Sequence, residues 1–143
     1  MMRSRVLTAL SAVWLLAGCG TAPPGPEPIP LDRVNCARCG MLISNDANAA
    51  QSQVDGQPTR FFDDIGCLAS EPAVQPDSTR RYVRLASGGW STADAAWFAR
   101  SATARTPMDY GILAFVTAEE AGAADREGQA YQWPAIGALA KTR

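Results

Sequence analysis

Residues 61–68 read Phe-Phe-Asp-Asp-Ile-Gly-Cys-Leu, and this stretch predicts the point at which a strand gives way to a helix. Residues 41–44 and 49–54 are predicted strands on either side of a turn at Asn45-Asp46, and a turn at Asp55-Gly56 is followed by a further strand that leads to the start of a helix. Asp63 can cap a helix that continues to about Ser70, because its carboxylate accepts hydrogen bonds from the free amides of a first helical turn. The order of these elements is therefore β-β-α.

The other predicted elements are also short strands and helices. Strands are predicted at residues 41–44, 81–85 and 111–116 from alternating or continuous apolar residues. Helices are predicted to begin at Ser91, Thr117 and Pro134, where capping residues or a first-turn proline occur. The helix from Ser91 would carry Trp97 and Phe98. These elements predict an α+β fold, a small two-layer domain of two related β-β-α(-β) units.

A faint internal repeat is consistent with two related units. Asp55-Gly56-Gln57 precedes residues 65–68 at nearly the spacing that separates Glu127-Gly128-Gln129 from residues 136–139, an offset of 71 to 72 residues. The repeat predicts a thiol-bearing unit over about residues 34–86 and a second unit over about residues 87–143. The alternative is coincidence in a chain rich in glycine and alanine.

The first 18 residues are typical of a lipoprotein signal peptide. Two arginines precede an apolar run, Val6 to Ala17, that is too short for a stable membrane span. Leu16-Ala17-Gly18-Cys19 resembles a bacterial lipobox and predicts cleavage after residue 18 and lipidation of Cys19. An uncleaved anchor helix, the alternative, does not explain a cysteine at this position. We expect a lipid-anchored protein on a bacterial membrane, facing the periplasm or the cell exterior.

Residues 19–33 contain five prolines and form the lipidated N-terminus and a predicted tether. Extended polyproline geometry would lift the folded domain, residues 34–143, roughly 40 Å from the membrane surface.

Processing leaves a mildly acidic chain with three thiols. Removal of the signal peptide takes two of the 13 basic side chains and none of the 14 acidic ones. Without a basic cluster, nucleic acid is not expected as a partner. The remaining thiols are Cys36, Cys39 and Cys67, an odd number that cannot form a pure disulfide framework. A bound metal would protect such thiols from oxidation outside the cytoplasm.

The segment from Cys36 to Met41, Cys-Ala-Arg-Cys-Gly-Met, has two thiols and a thioether within six residues of a protein that has no histidine. Thiolate and thioether ligands together favour Cu(I), whereas zinc sites usually include imidazole or four thiolates. A short disulfide beside a packing methionine is the alternative for this motif alone. Without histidine no Ser-His-Asp or Cys-His arrangement exists, so we do not expect an enzyme.

Several motifs, in this order, resemble the NosL family, the copper chaperone lipoproteins of nitrous oxide reductase. They are the lipobox, the proline-rich tether, Cys39-Gly40-Met41, residues 61–68, and residues 106–115, which read Thr-Pro-Met-Asp-Tyr-Gly-Ile-Leu-Ala-Phe. The resemblance implies a Cu(I) chaperone whose partners are nitrous oxide reductase and the membrane-bound complex that assembles its copper-sulfide centre. It also implies paired β-β-α-β units like those of an organomercury lyase domain.

The resemblance also implies roles for particular residues. It places Cys39 and Met41 in the metal-binding motif, Met108 in a second methionine motif, and Cys36 with members that have a doubled cysteine. Family members often carry a histidine near the cysteine, and this chain has none. We therefore expect an all-sulfur Cu(I) site drawn from Cys36, Cys39, Met41, Cys67 and Met108. Packing in the core is the alternative for Cys67 and Met108.

Two other functions follow from the same cysteines. The first is an extracytoplasmic thiol-disulfide oxidoreductase that uses Cys36 and Cys39, with Cys67 as the resolving thiol. A thioredoxin-like pair, however, precedes a helix, whereas this pair precedes a predicted strand. The second is a structural zinc site, which would need Asp63 or a water as its fourth ligand.

Overall fold

A computed structural model of the chain describes residues 25–72, 76 and 78–142. The predicted signal peptide and Cys19 lie outside these residues. Within the described part of the chain, no helix is both long enough and apolar enough to cross a membrane.

The first sheet forms around a short central strand. Strand β1 (Ala50–Gln53) pairs antiparallel with β2 (Arg60–Phe62) on one side and with β3 (Arg80–Arg84) on the other. Helix α1 (Ile65–Ala69) follows β2, and β4 (Trp90–Thr92) extends the sheet beyond β3. All four residues of β1 are buried, as expected for a strand that is covered on both faces.

The second sheet repeats this order in a smaller form. Strand β5 (Trp97–Arg100) pairs antiparallel with β6 (Ile112–Phe115), which leads into helix α2 (Ala118–Ala124). The chain then returns to the other side of β5, where Tyr131 forms an isolated antiparallel bridge with Phe98. Helix α3 (Trp133–Lys141) ends the described chain. Helices and antiparallel sheets thus form a small domain, and the α+β fold class is confirmed.

The residue alignment of the predicted internal repeat is wrong, because it pairs residues that have different places in the fold, while the division into units at about residue 86 stays a prediction. The sequence pattern aligns residues 65–68 in α1 with residues 136–139 in α3, whereas α2 is the helix that follows a strand hairpin in the second unit. Gly56 turns between β1 and β2, and Gly128 lies after α2. Both glycines have positive φ, so the shared letters reflect similar turns rather than equivalent positions.

The helix predicted from Ser91 is also wrong. Residues 90–92 form β4, and Trp97 and Phe98 begin β5. Ser91 pairs with Val83, and Phe98 pairs with Ala114, so both segments gain backbone hydrogen bonds from distant parts of the chain. A capping pattern stabilises only the first turn of a helix, which is less than these two strand pairings contribute.

Most other predicted elements are present with small changes at their ends. Thr117 and Glu120 form the predicted capping box of α2, in which each side chain accepts a hydrogen bond from the other residue's backbone N–H at 3.2 Å. Pro134 lies in the first turn of α3. The predicted strand at residues 41–44 is reduced to one bridge between Asn35 and Leu42. The cap of α1 is Asp64 rather than Asp63.

The second half of the predicted tether lies against β1. The Glu27 N–H donates to Gln51 Oε1 at 2.8 Å, and the Glu27 carbonyl accepts from Gln51 Nε2 at 2.9 Å. The Gly25 carbonyl accepts from Gln53 Nε2 at 3.0 Å, and Ile29 packs against the core. Residues 25–30 form no helix or strand, as their prolines require, but they are not a free spacer. The prediction of an extended tether is wrong for this part.

The core contains side chains from both units. Phe62, Ile65 and Val83 of the first unit and Phe98 and Ile112 of the second are each less than 2 % exposed. Ile136 joins them from α3, which packs against α1. Cys36 and Cys67 belong to the same buried cluster. The fold thus carries two of the predicted metal ligands into its interior.

Candidate metal centre

Cys36 and Cys39 lie on a tight loop that the backbone closes. The Cys36 N–H donates to the Met41 carbonyl at 2.7 Å, and the Gly40 N–H donates to the Cys36 carbonyl at 2.9 Å. Gly40 has a φ of 77°, a left-handed conformation that favours glycine. Below the loop, the Ile43 N–H donates to the Val34 carbonyl at 3.0 Å. The glycine between the second thiol and Met41 is therefore needed for the shape of the loop.

Cys67 joins the loop from helix α1. The Ala37 N–H donates to the Phe61 carbonyl at 2.8 Å, which attaches the loop to β2, the strand that leads into this helix. At the helix start, Asp64 Oδ1 accepts from the Gly66 N–H at 2.8 Å, and the Cys67 N–H donates to the Asp64 carbonyl at 2.9 Å. The Asp64 cap fixes the first turn of α1, which carries Cys67. The hydrogen bond between Ala37 and Phe61 holds the cysteine loop against this turn.

The result is a cluster of three free thiols. The Sγ atoms of Cys36, Cys39 and Cys67 all lie within 4.8 Å of one another. A metal–sulfur bond of about 2.3 Å would place three trigonal sulfur ligands about 4 Å apart, so the cluster has the size that one ion requires. Cys36 and Cys67 are buried, while Cys39 is partly exposed. The cluster therefore has one face toward the protein core and one toward solvent.

Hydrogen bonds within the cluster distribute the charge unequally. The pKa of Cys36 falls from 9.0 to about 4, mainly because the Cys67 thiol donates a hydrogen bond to its sulfur; backbone N–H groups of the loop and of Asp63 add to this, while burial opposes it. The same bond and burial raise the pKa of Cys67. Burial is the main cause that raises the pKa of Cys39. The cluster thus favours a thiolate at Cys36, to which the Cys67 thiol donates a hydrogen bond.

Asp63 is the acidic neighbour of the cluster. Asp63 is only 5 % exposed, and burial, the charge of Cys36 and that of Asp64 all raise its pKa, in that order. The three sulfurs lie within 4.8 Å of one another, and no Asp63 oxygen belongs to this cluster. In the described part of the chain this arrangement does not supply the fourth protein ligand of a structural zinc site.

The two predicted methionines have different surroundings. Met41 is 49 % exposed, at the end of the cysteine loop. Met108 is partly buried and packs against the core cluster that contains Cys36 and Cys67. The structure therefore brings the three cysteines together, places Met108 beside their core and leaves Met41 at the surface. The role of each as a copper ligand stays a prediction.

The comparisons with known proteins give one structural match. No protein-family model matches the chain, and a comparison with curated proteins found no match. Among solved structures, the copper chaperone NosL from Shewanella denitrificans superposes with a TM-score of 0.63, at 19 % identity, over 78 % of this chain and 96 % of that one. The chain has the NosL fold. This confirms the architecture that the sequence motifs implied, because the match covers nearly the whole of the solved chain.

Asp64 is the residue of this site that sequence reasoning missed. The sequence assigned the helix cap to Asp63, which is buried beside Cys36 instead. Asp64 lies two residues before Gly66, the spacing at which an N-cap side chain meets the second free amide of a helix. That spacing was the available signal. Both aspartates fit it to within one residue, so the pattern could not separate them.

Proposed function

We propose that this chain is a Cu(I) chaperone that is anchored by lipid on Cys19 outside the cytoplasm and supplies copper for the maturation of nitrous oxide reductase. The observation that carries the proposal is the convergence of the Cys36, Cys39 and Cys67 sulfurs within 4.8 Å, on a fold shared with a copper chaperone. The order of the sequence motifs supports the choice of client enzyme.

The chemistry of the cluster favours Cu(I) over other common ions. Thiolates are soft ligands, and Cu(I) accepts few of them, whereas a structural zinc site uses four ligands. The chain has no histidine to complete a mixed site. Because the pKa of Cys36 is lowered, its thiolate forms more readily, which favours the first metal–sulfur bond.

A chaperone must also release its copper to a recipient protein, and this can occur at the exposed side of the cluster. Cys39 is the one thiol of the three that is partly exposed, and Met41 lies at the surface beside it. A sulfur ligand of a recipient protein can approach copper from this side and replace Cys39 while the two buried thiols still hold the ion. Transfer by ligand exchange keeps Cu(I) bound at every stage, which suits a toxic and easily oxidised cargo.

The anchor would keep the site close to the membrane. Residues 25–30 pack on β1, so only residues 20–24 are left to separate a lipidated Cys19 from the folded domain. Five residues span at most about 18 Å even when fully extended. A donor held this near the membrane surface fits delivery to a membrane-bound assembly complex.

A thiol-disulfide oxidoreductase is the second candidate, because the low pKa of Cys36 is typical of a nucleophilic thiol. The accessibility of the cysteines weighs against it. Cys36 is only 3 % exposed, while the more accessible Cys39 has a raised pKa. An exchange enzyme needs its thiolate where another protein's disulfide can reach it.

Metal competition tests the proposal. The reduced mature protein, with a matched variant in which all three cysteines are serine, is titrated with Cu(I) against chromophoric chelators of graded strength and separately with Zn(II). We expect one tightly bound Cu(I) per chain, weak zinc binding and no copper binding by the variant. A protein that leaves Cu(I) on a weak chelator and binds zinc tightly would contradict the proposal. Rapid reduction of a model disulfide by the metal-free protein would favour the oxidoreductase.

Delivery requires a separate measurement in cells. Deletion of this chain should leave nitrous oxide reductase without its copper-sulfide centre, and the parent but not the triple serine variant should restore the centre.

A further inference from the structure

Asp64 is fully buried, yet each of its carboxylate oxygens accepts a hydrogen bond from a backbone amide. Oδ1 accepts from the Gly66 N–H at 2.8 Å and caps α1, whereas Oδ2 accepts from the Met108 N–H at 3.0 Å. Among the described residues, no lysine or arginine forms an ion pair with Asp64. A buried carboxylate without a cation depends on such amide bonds. One of the two goes to a loop of the second unit.

That loop, residues 106–111, has a well-defined shape. The Asp109 N–H donates to the Thr106 carbonyl at 2.9 Å, and the Gly111 N–H donates to Thr106 Oγ1 at 3.1 Å. Asp109 and Gly111 have φ angles of 57° and 66°, both in the left-handed region. These hydrogen bonds hold the loop in one shape on both sides of Met108. The position of Met108 is therefore set by where the loop as a whole is attached to the rest of the protein.

A second contact attaches the same loop to the same helix. The Tyr110 ring lies so close to Gly66 that a Cβ at this glycine would be 2.0 Å from the ring Cγ. Farther along α1, the Tyr110 hydroxyl lies 3.1 Å from Ser70 Oγ. The loop therefore rests along the helix that carries Cys67, and the Asp64 bond fixes its Met108 end.

These contacts place the Met108 backbone beside the first turn of the helix that carries Cys67. Cys67 lies one turn after Asp64, to which its own N–H is bonded, and Met108 packs against the core that contains Cys36 and Cys67. We infer that Asp64 is a positioning residue that holds the Met108 thioether in the copper site, so that a ligand from the second unit joins the thiols of the first. This inference rests on the proposed function, since it concerns the same site.

A double-mutant cycle tests the inference. The mature protein is compared with Asp64→Asn, Met108→Leu and the double variant by Cu(I) competition. Asparagine is a good helix cap, so its carbonyl oxygen can keep the Gly66 bond, but its amide nitrogen cannot accept from Met108. Residues that orient metal ligands typically change metal affinity about 10- to 100-fold. We expect a loss of about tenfold or more in each single variant and no further loss in the double variant.

Charge alone predicts the opposite result. After the Cys36 hydrogen bond, burial and the charges of Cys36 and Cys39, the Asp64 charge is the smallest cause that raises the pKa of Cys67, so by charge alone its removal would slightly favour the thiolate and copper binding. X-ray absorption at the copper edge supplies a readout that stability does not affect: both single variants should show one sulfur neighbour fewer than the parent. Asp125→Asn is the matched control, because Asp125 also accepts backbone N–H bonds, from Arg100 at 2.7 Å and Glu127 at 2.8 Å. It should lose stability and keep its copper affinity.

The outcomes separate the two proposals. A parent protein that does not bind Cu(I) contradicts the proposed function. A parent that binds Cu(I) while Asp64→Asn or Met108→Leu binds it equally well overturns the inference about Asp64 alone, as do additive losses in the double variant. If Asp64→Asn does not fold, Ser70→Ala replaces it, since it loosens the Tyr110 contact without a change at Asp64. The inference then requires that Ser70→Ala weakens copper binding when it is introduced into the parent protein. It also requires that Ser70→Ala has no effect on copper binding when it is introduced into Met108→Leu.

Discussion

Gly66→Ala is the substitution for which the structure gives the clearest expectation. An ideal Cβ at residue 66 would lie 2.0 Å from Cγ, 2.3 Å from Cδ2 and 2.6 Å from Cβ of Tyr110. Real Cβ atoms essentially never approach heavy atoms this closely, so the ring or the helix has to move. Tyr110 is buried and its hydroxyl lies 3.1 Å from Ser70 Oγ, so the ring has little freedom to shift.

The expected magnitude is the difference between two opposing effects. Alanine in place of glycine inside a helix stabilises it by up to about 1 kcal/mol. Overpacking of a buried contact typically costs about 1–3 kcal/mol, and the upper part of this range applies here because three Tyr110 atoms, two of them in the ring, are involved. We therefore expect Gly66→Ala to lower the free energy of unfolding by about 2 kcal/mol, as measured by urea denaturation of the reduced apo protein.

Two further variants make the measurement decisive. Gly122→Ala is the control in α2, where the new Cβ would lie 3.4 Å from the Gly128 carbonyl oxygen; it should be neutral or stabilising. In a Tyr110→Gly background all three of these Tyr110 atoms are absent, so Gly66→Ala should no longer destabilise. A Gly66→Ala protein as stable as the parent would show that the packing of Tyr110 on α1 is not as described.

The remaining predictions concern the thiols and the anchor. Cys36 has a lowered pKa, so its ionisation contributes stability that is fully present above pH 9, the usual pKa of the thiol, and is lost as the pH falls toward about 4. Between pH 5 and 8 the free energy of unfolding of the reduced apo protein should rise with pH, and Cys36→Ser should show a smaller rise in the same denaturation series. In Cu(I) competition, Cys67→Ser should weaken binding about 10-fold or more, whereas Met41→Leu should have a much smaller effect on equilibrium affinity because Met41 is 49 % exposed; equal losses would place Met41 in the site. Cys19→Ala should abolish incorporation of labelled palmitate and release the protein from membranes, while its copper affinity stays that of the parent; retention after a carbonate wash would contradict lipid anchoring.

Local sequence signals predicted the elements that depend on few neighbours. The capping box of Thr117 and Glu120 needs only one helical turn, and it occurs as predicted. The proline-rich residues 25–30 form neither helix nor strand, because proline lacks the N–H that both structures require. The proximity of Cys36 and Cys39 follows from their spacing and from Gly40.

Only the tertiary structure decided which distant residues meet. Residues 97–100 form a strand despite a preceding capping pattern, because β6 supplies its hydrogen bonds from farther along the chain. The buried side-chain amide of Gln51 needs hydrogen-bond partners, and it finds them in the backbone of Glu27. This part of the predicted tether is therefore bound to β1. Cys67 reaches the cysteine loop through the attachment of that loop to β2, and Asp64 reaches Met108 across the two units. Spacing along the chain sets local geometry, but contacts between distant segments follow from the burial of a shared core, which no short motif encodes.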